Sequence, residues 1–227
     1  MAPQLFIMAL TPAVRSVLLT GEALGIKFDI KQLDLAEKRE HLTPEYLKIN
    51  PQHTVPTLID EDGFVLWDCH AISAYLVEKY GKDDSLYPKD LQIRGTIHQR
   101  LHFDTGVLFP IIVNTLRPIA IQGEKRIPID RVKEVTEAYG FLNKFLTKHR
   151  YLSSCHVTIA DFNVISSVAV LEIIFPIDRK QFPYLASWVK RMKRLPYYEK
   201  TNNGLYVLKE ITKSVTVARA GSLTRIK

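Results

Sequence analysis

The stretch Asn50-Pro51-Gln52-His53-Thr54-Val55-Pro56-Thr57-Leu58 decides the fold. It holds two prolines, no strongly charged residue, and an immediate exit into apolar residues. Pro56 has no amide to give a sheet ladder, so the residues before it do not read as central strand. The segment reads as a tight bend that presents main chain at Thr54 and Val55 before Thr57 to Ile59 enter a strand. An X-Pro bond in such a turn is where a cis peptide is placed. The amide and carbonyl of Val55 are then free to pair with an extended peptide laid alongside, a one-residue form of strand addition. An ordinary connecting loop is the plainer reading of the same residues, and the surroundings decide between the two.

Upstream, Leu5 to Leu10 is short, apolar and unbroken, which suits a buried strand. Thr11-Pro12 follows, a favourable cap and first helical position, and Val14, Val17, Leu18, Ala23 and Leu24 recur at helical spacing until Gly25. Ile26 to Leu33 alternates apolar with charged residues and reads as a second strand, parallel to the first through a right-handed crossover. Glu37 to Leu47 reads as a short irregular helix. Downstream of the bend, Asp60-Glu61-Asp62-Gly63 between two apolar runs signals a hairpin, and Asp68 caps a helix through Tyr80. The order is β-α-β, bend, β-β-α.

The chain has 227 residues, enough for two modest units, with an ordinary apolar share of 46%. Met1 to Tyr80 carries 7 Lys+Arg against 11 Asp+Glu, a balance of −4, while the remainder carries 24 against 13, a balance of +11. An acidic first part joined to a basic second part argues for two units. The basic part reads as a solvated helical face, since no nucleic-acid motif or interleaved basic and aromatic run accompanies it. Two cysteines, Cys69 and Cys155, are too few for a disulfide framework and lack metal spacing, so neither a structural metal nor an oxidising compartment is expected. The run Leu5 to Leu10 is too short for a signal core or a membrane span, and a cytoplasmic protein is the expectation.

Beyond a polar linker at residues 82–90, the patterns are helical. Gln92 to about Ile119 reads as one long helix with a kink at Pro110. Ile127 to Lys148 makes another. Thr158-Ile159-Ala160-Asp161 has the form of a capping box and opens a very apolar helix through Leu171. Phe182 to Leu195 and Tyr197 to Ile211 complete a bundle. Lys213 to Lys227 has no clear period; a loose tail and a flap across the cleft are both open.

Leu10-Thr11-Pro12-Ala13-Val14-Arg15, then Asn50 to Leu58, then Asp68-Cys69-His70-Ala71-Ile72, resemble the glutathione-binding half of a cytosolic glutathione transferase of the insect delta and epsilon classes. Gly81 to Asp90 and Leu101-His102-Phe103-Asp104-Thr105-Gly106-Val107-Leu108-Phe109 resemble the epsilon class. The resemblance covers nearly the whole chain. It implies an α/β thioredoxin-like domain at residues 1–81 and an all-α helical bundle at 91–227. It also implies a cis Pro56, glutathione as co-substrate, no metal, and a homodimer with His70 near the contact. By position, Val55 pairs with the cysteinyl unit, with Thr54 and Pro56 beside it. His41 and His53 sit near the glycyl carboxylate, and Asp68 takes the α-amino group. Cys69, beside His70, meets the glutamyl carboxylate. Carboxylates suit imidazole donors and helix starts, and an ammonium suits an aspartate. Surface histidine remains the alternative for His41 and His53.

The chain departs from that pattern in two places. Thr11 stands where the delta and epsilon pattern has serine, the hydroxyl that favours the glutathione thiolate. Its hydroxyl either reaches the sulfur or is spent capping the helix; in both cases the helix start keeps its positive end at that place. Cys69 stands where serine is usual. An inert small side chain and a redox-active thiol that forms a mixed disulfide with glutathione are both open. The resemblance places the electrophile pocket at Leu10, Phe109, Ile112, Val113 and Leu116, although an apolar helical stripe is by default core. Ile111 and Val113 stand where some epsilon enzymes carry arginines, which favours uncharged lipophilic partners. The function implied is detoxification-type conjugation of the glutathione thiolate to small hydrophobic electrophiles. The alternative is a weakly catalytic or non-catalytic protein binding glutathione or a lipophilic ligand, because both serines are replaced.

Overall fold

The computed structural model describes residues 2–219 and 222–225. The first unit runs β1 (Gln4–Ile7), α1 (Pro12–Leu24), β2 (Asp29–Gln32), a 3-10 turn (Glu40–Leu42), α2 (Pro44–Ile49), β3 (Thr57–Ile59), β4 (Val65–Trp67) and α3 (Cys69–Tyr80). The sheet order is β2-β1-β3-β4, with β1 and β2 parallel and the other pairs antiparallel. Leu5, Ile7, Val14, Val17, Leu58, Ile72 and Leu76 form one core between the sheet and helices α1 and α3. This is the β-α-β, bend, β-β-α order read from the sequence.

Two expected elements are shorter than their patterns. β1 stops at Ile7, because the chain turns at once into α1, with the Thr11 amide donating to the Met8 carbonyl at 3.2 Å. β2 begins only at Asp29; Ile26 and Phe28 pack on the core before the strand starts, while Ile30 is exposed on this edge strand. The irregular helix after Glu37 is split in two, with Thr43 capping α2 ahead of Pro44.

The second unit is helical: α4 (Leu91–Phe103), a π-helical turn (Asp104–Leu108), α5 (Phe109–Gln122), α6 (Ile129–Phe145), α7 (Ile159–Ile174), α8 (Pro183–Met192), α9 (Tyr198–Thr201) and α10 (Leu205–Thr212). The expected kink at Pro110 takes the form of the π turn. A proline ring strikes the carbonyl four residues back in a regular helix. Here that carbonyl belongs to Gly106, inside the widened turn. The helix expected over Tyr197 to Ile211 is broken at Asn202 to Gly204. The Asn202 side chain donates to the Tyr198 carbonyl at 2.8 Å, competing with the helix, and Gly204 lies so close to the Ala9 carbonyl that a Cβ would sit 2.4 Å from its oxygen.

The aperiodic tail contains a hairpin, β6 (Thr216–Arg219) and β7 (Ser222–Arg225), joined to β5 (Arg126–Ile127) in the order β5-β6-β7. Residues 220–221 and 226–227 of that expectation lie outside the described residues.

α7 is the axis of the second core, buried along its length except at Glu172 and Ile173. Its capping box forms as read: Asp161 accepts from the Thr158 amide at 2.9 Å, and also from the Leu152 amide at 3.0 Å and the Trp188 indole at 2.8 Å. α1 packs on α7 and joins the two units. There Arg15, wholly buried, donates to the Asn202 side-chain oxygen at 2.6 Å and to the Ser166 carbonyl at 2.8 Å. Burial holds its guanidinium down at about 10.

Candidate active site

A crevice opens where α1, the bend and the start of α3 face the π turn and α7. Its near wall comes from the first unit. A buried polar network fixes the bend. The Tyr46 hydroxyl donates to the Thr54 carbonyl at 2.6 Å, and the Asn50 amide donates to the same carbonyl at 3.0 Å and to Thr57 Oγ1 at 2.9 Å. Thr57 Oγ1 gives that carbonyl a third donor at 3.1 Å. The next peptide differs: among the described residues neither the amide nor the carbonyl of Val55 has a partner. The Val55–Pro56 peptide is cis.

Asp68 has a left-handed backbone, φ 76°, at the crevice edge, and one carboxylate oxygen caps α3 by accepting from the His70 and Ala71 amides at 2.9 and 3.1 Å. Cys69 is the first residue of α3 and a half-buried free thiol. The His70 ring lies 3.0 Å from Asp104 Oδ2 and 3.1 Å from the Thr105 hydroxyl. Burial works against its charge, but the bonds to Asp104 and Cys69 outweigh burial and raise the imidazolium to about 10.

Thr11 Oγ1 caps α1: it accepts from the Val14 amide at 3.2 Å and donates to the Met8 carbonyl at a long 3.3 Å. Pro12 has no amide, and the Ala13 amide has no partner among the described residues, so the first turn of α1 keeps one free donor beside the crevice. His41 and His53 stand together on the bend's outer side, ring centres 6.1 Å apart. His41 Nδ1 is buried without a partner, and its pKa is lowered by burial, then by the nearby positive fields of His53 and Arg39.

Of the residues singled out from the sequence, Thr54, Val55, Pro56, Asp68, Cys69, His70 and Phe109 line the crevice. Thr11 stands at the helix start next to its lining residues Pro12 and Ala13. His41 and His53 lie outside its lining, as do half-buried Leu10, Val113 and Leu116. Ile112 is buried in the helical core with Ile111 and Ile119, because the inward stripe of α5 runs through these residues and Thr115; Phe109 is left facing the crevice.

The crevice also holds residues to which sequence reasoning gave no role: Asp104, Thr105, Asn163 and Ser167 in the far wall, and Ser16 of α1 in the near wall. A signal was present for Asn163. It is an amide in a buried and mostly apolar helix, and such a group needs a reason to be there. Among the described residues no three His, Cys, Asp or Glu side chains are grouped to hold a metal, and no helix is long and apolar enough to cross a membrane.

Two family models match the chain: the glutathione S-transferase N-terminal domain over residues 12–79 and its C-terminal domain over 103–196. Glutathione S-transferase 1 of Manduca sexta is 42% identical over 194 residues, covering 85% of this chain and 88% of that one. An epsilon-class glutathione S-transferase from the housefly, Musca domestica, superposes with a TM-score of 0.89 at 44% identity, covering 93% of this chain and 98% of that one. A glutathione transferase homologue from Drosophila mojavensis, solved with bound glutathione, gives a TM-score of 0.89 at 41% identity over 96% of this chain and 99% of the other.

Proposed function

The chain belongs to the glutathione S-transferase family, with its thioredoxin-like first half and helical second half, and from that premise we propose how its crevice works. Glutathione lies along the bend, its cysteinyl unit paired with the Val55 main chain. The observation that carries this is the unpaired Val55 peptide, flanked by a Thr54 carbonyl with three donors of its own. A main chain so firmly held with one unused donor and acceptor is a template for an extended ligand. His41 and His53 take the glycyl carboxylate, which would relieve the positive field on His41. The start of α3 at Cys69 and the His70 imidazolium take the glutamyl carboxylate.

The thiol then lies at the start of α1. Thr11 Oγ1 keeps the Val14 amide on one lone pair and turns its proton from the Met8 carbonyl, a weak bond at 3.3 Å, to the sulfur. That bond and the unpaired Ala13 amide favour the thiolate. The thiolate attacks a small lipophilic electrophile held against Phe109; a carbon–sulfur bond forms and the leaving group departs with its electron pair. With no arginine on this face of α5, uncharged partners are favoured. The second reading, a binder with little turnover, draws on the same hydroxyl: if it stays on Met8, the thiol keeps its proton. Retention on immobilised glutathione, followed by turnover of a chloro-dinitro-aromatic with glutathione, tests both; retention without turnover selects the binder.

We also infer that 1–81 and 91–227 are the two units, joined by 82–90, since each carries its own core. A cytoplasmic detoxifying homodimer completes the reading. Light scattering at twice the 26.0 kDa chain mass is the expected result.

A further inference from the structure

The helical unit carries a second concavity that shares no lining residue with the crevice. It is a groove between the end of α7 and α8, of about 560 Å³ against about 220 Å³ for the crevice. α8 makes it because its two sides differ. Leu185, Trp188 and Met192 are buried in the second core, while Pro183, Ala186, Ser187 and Lys190 line the groove. The small side chains of Ala186 and Ser187 leave a trough, and Ile177 and Pro183 give it apolar walls. Around it stand Arg179, Lys190, Lys193 and Arg194 against one carboxylate, Glu172, which pairs with Lys193 at 2.7 Å. Arg179, Lys190 and Arg194 are exposed, and among the described residues none has an ion pair or a side-chain hydrogen bond. The surrounding chain strengthens the field: residues 140–200 carry 10 Lys+Arg against 4 Asp+Glu, a balance of +6, and one of the four, Asp161, is buried. Cations gathered at one trough repel each other, and an anionic group laid among them is drawn in.

We propose that this groove docks an acidic amphipathic helix of another protein, its apolar side on Ile177, Pro183 and Ala186 and its carboxylates on Arg179, Lys190 and Arg194. α8 is 10 residues long, roughly 15 Å, which gives the partner about three turns of contact. The apolar floor and the basic rim together ask for a partner with both characters. A nucleic-acid strand fits less well: no aromatic side chain is among the lining residues to stack a base, and Glu172 in the trough repels a row of phosphates. An anionic bilayer is flat and takes up protruding apolar side chains, whereas this surface is hollow. A small anion alone would leave the apolar floor uncovered. The inference is independent of the reading of the crevice, which the docked segment leaves open.

The test titrates the full chain into a fluorescein-labelled helical peptide with leucines on one face and glutamates on the other, followed by anisotropy. A scrambled peptide of the same composition should bind at least about tenfold more weakly. Lys190→Glu with Arg194→Glu should weaken the patterned peptide at least about tenfold. Lys144→Glu with Lys148→Glu, an equal change of charge at exposed positions outside the groove, should weaken it about twofold or less. Ser187→Trp, which fills the trough and leaves the charge alone, should weaken it as much as the first pair. Equal binding of the scrambled peptide, or equal loss in the two charge-reversed pairs, means a diffuse basic surface and overturns the proposal. So does full binding in Ser187→Trp, or an oligoribonucleotide or a phosphatidylserine vesicle whose own binding is tighter and is abolished by that substitution. Should the first pair fail to fold, Ser187→Trp and the scrambled peptide decide between the two outcomes.

Discussion

The two walls of the crevice are built by different means. The near wall is main chain: a proline bend, the first turn of α1 and the first turn of α3, each held by short-range hydrogen bonds between residues close in sequence. The far wall is side chain: Asp104 from a π turn and Asn163 and Ser167 from α7, polar groups carried into a buried place by helices whose register was set elsewhere. A wall of main chain is set by local sequence, whereas a wall of side chains is set by how the helices pack.

The comparison is most easily broken at Asp161, outside both walls. Its carboxylate gathers four donors on two oxygens in a wholly buried place and fixes where α7 begins. Asp161→Ala should cost about 3–5 kcal/mol in denaturant unfolding, the usual effect of emptying a buried charged network, and the far wall should lose its residues together. Asp104→Asn comes next. It leaves the His70 imidazolium facing an amide, and about 3 kcal/mol of stability should go. The pH profile tests the same pair. The folded pKa of His70, about 10, lies above its ordinary 6.5, so the stabilisation is complete below pH 6.5 and is lost as pH rises towards 10. Unfolding free energy should fall across that window, and His70→Gln should flatten the fall. A slope unchanged in His70→Gln would detach this pair from the far wall.

On the near wall, Thr11→Val should lower turnover about tenfold and raise the pKa of bound glutathione by about one unit, while Thr11→Ser should do neither. Absorbance of the thiolate reads it directly. If Thr11→Val leaves that pKa in place and costs only the roughly 1 kcal/mol of a lost cap, the hydroxyl is structural and the binder reading gains. The smallest effect belongs to the rim: Phe109→Ala should raise KM for a lipophilic electrophile about three- to fivefold and leave KM for glutathione unchanged.

The near wall was legible because its signals are local. Pro56 cannot join a ladder, Thr11-Pro12 starts a helix, and Asp68 caps one, whatever lies around them. The far wall resisted the same reading. Pro110 announced a kink, but a kink can become a bend, a break or a π turn; here it is a π turn that carries Asp104 against His70. The stripe through Phe109, Ile112 and Leu116 has helical period and nothing more; which side meets the crevice depends on how α5 lies on α7. The tail shows the same limit, since β6 finds its partner β5 some ninety residues back in the chain, at Thr216 opposite Arg126. Periodicity is short-ranged and cannot report a contact of that kind.

Arg15 carries a consequence for how such chains diversify. Rooted in α1, which begins beside the crevice, it spends its hydrogen bonds on Ser166 and Asn202 of the other half. A chimera that joins this first half to a foreign helical half inherits a buried cation with no host. The two halves are thus tied through one buried cation, and an exchanged helical half must present a carbonyl and an amide oxygen at those two places.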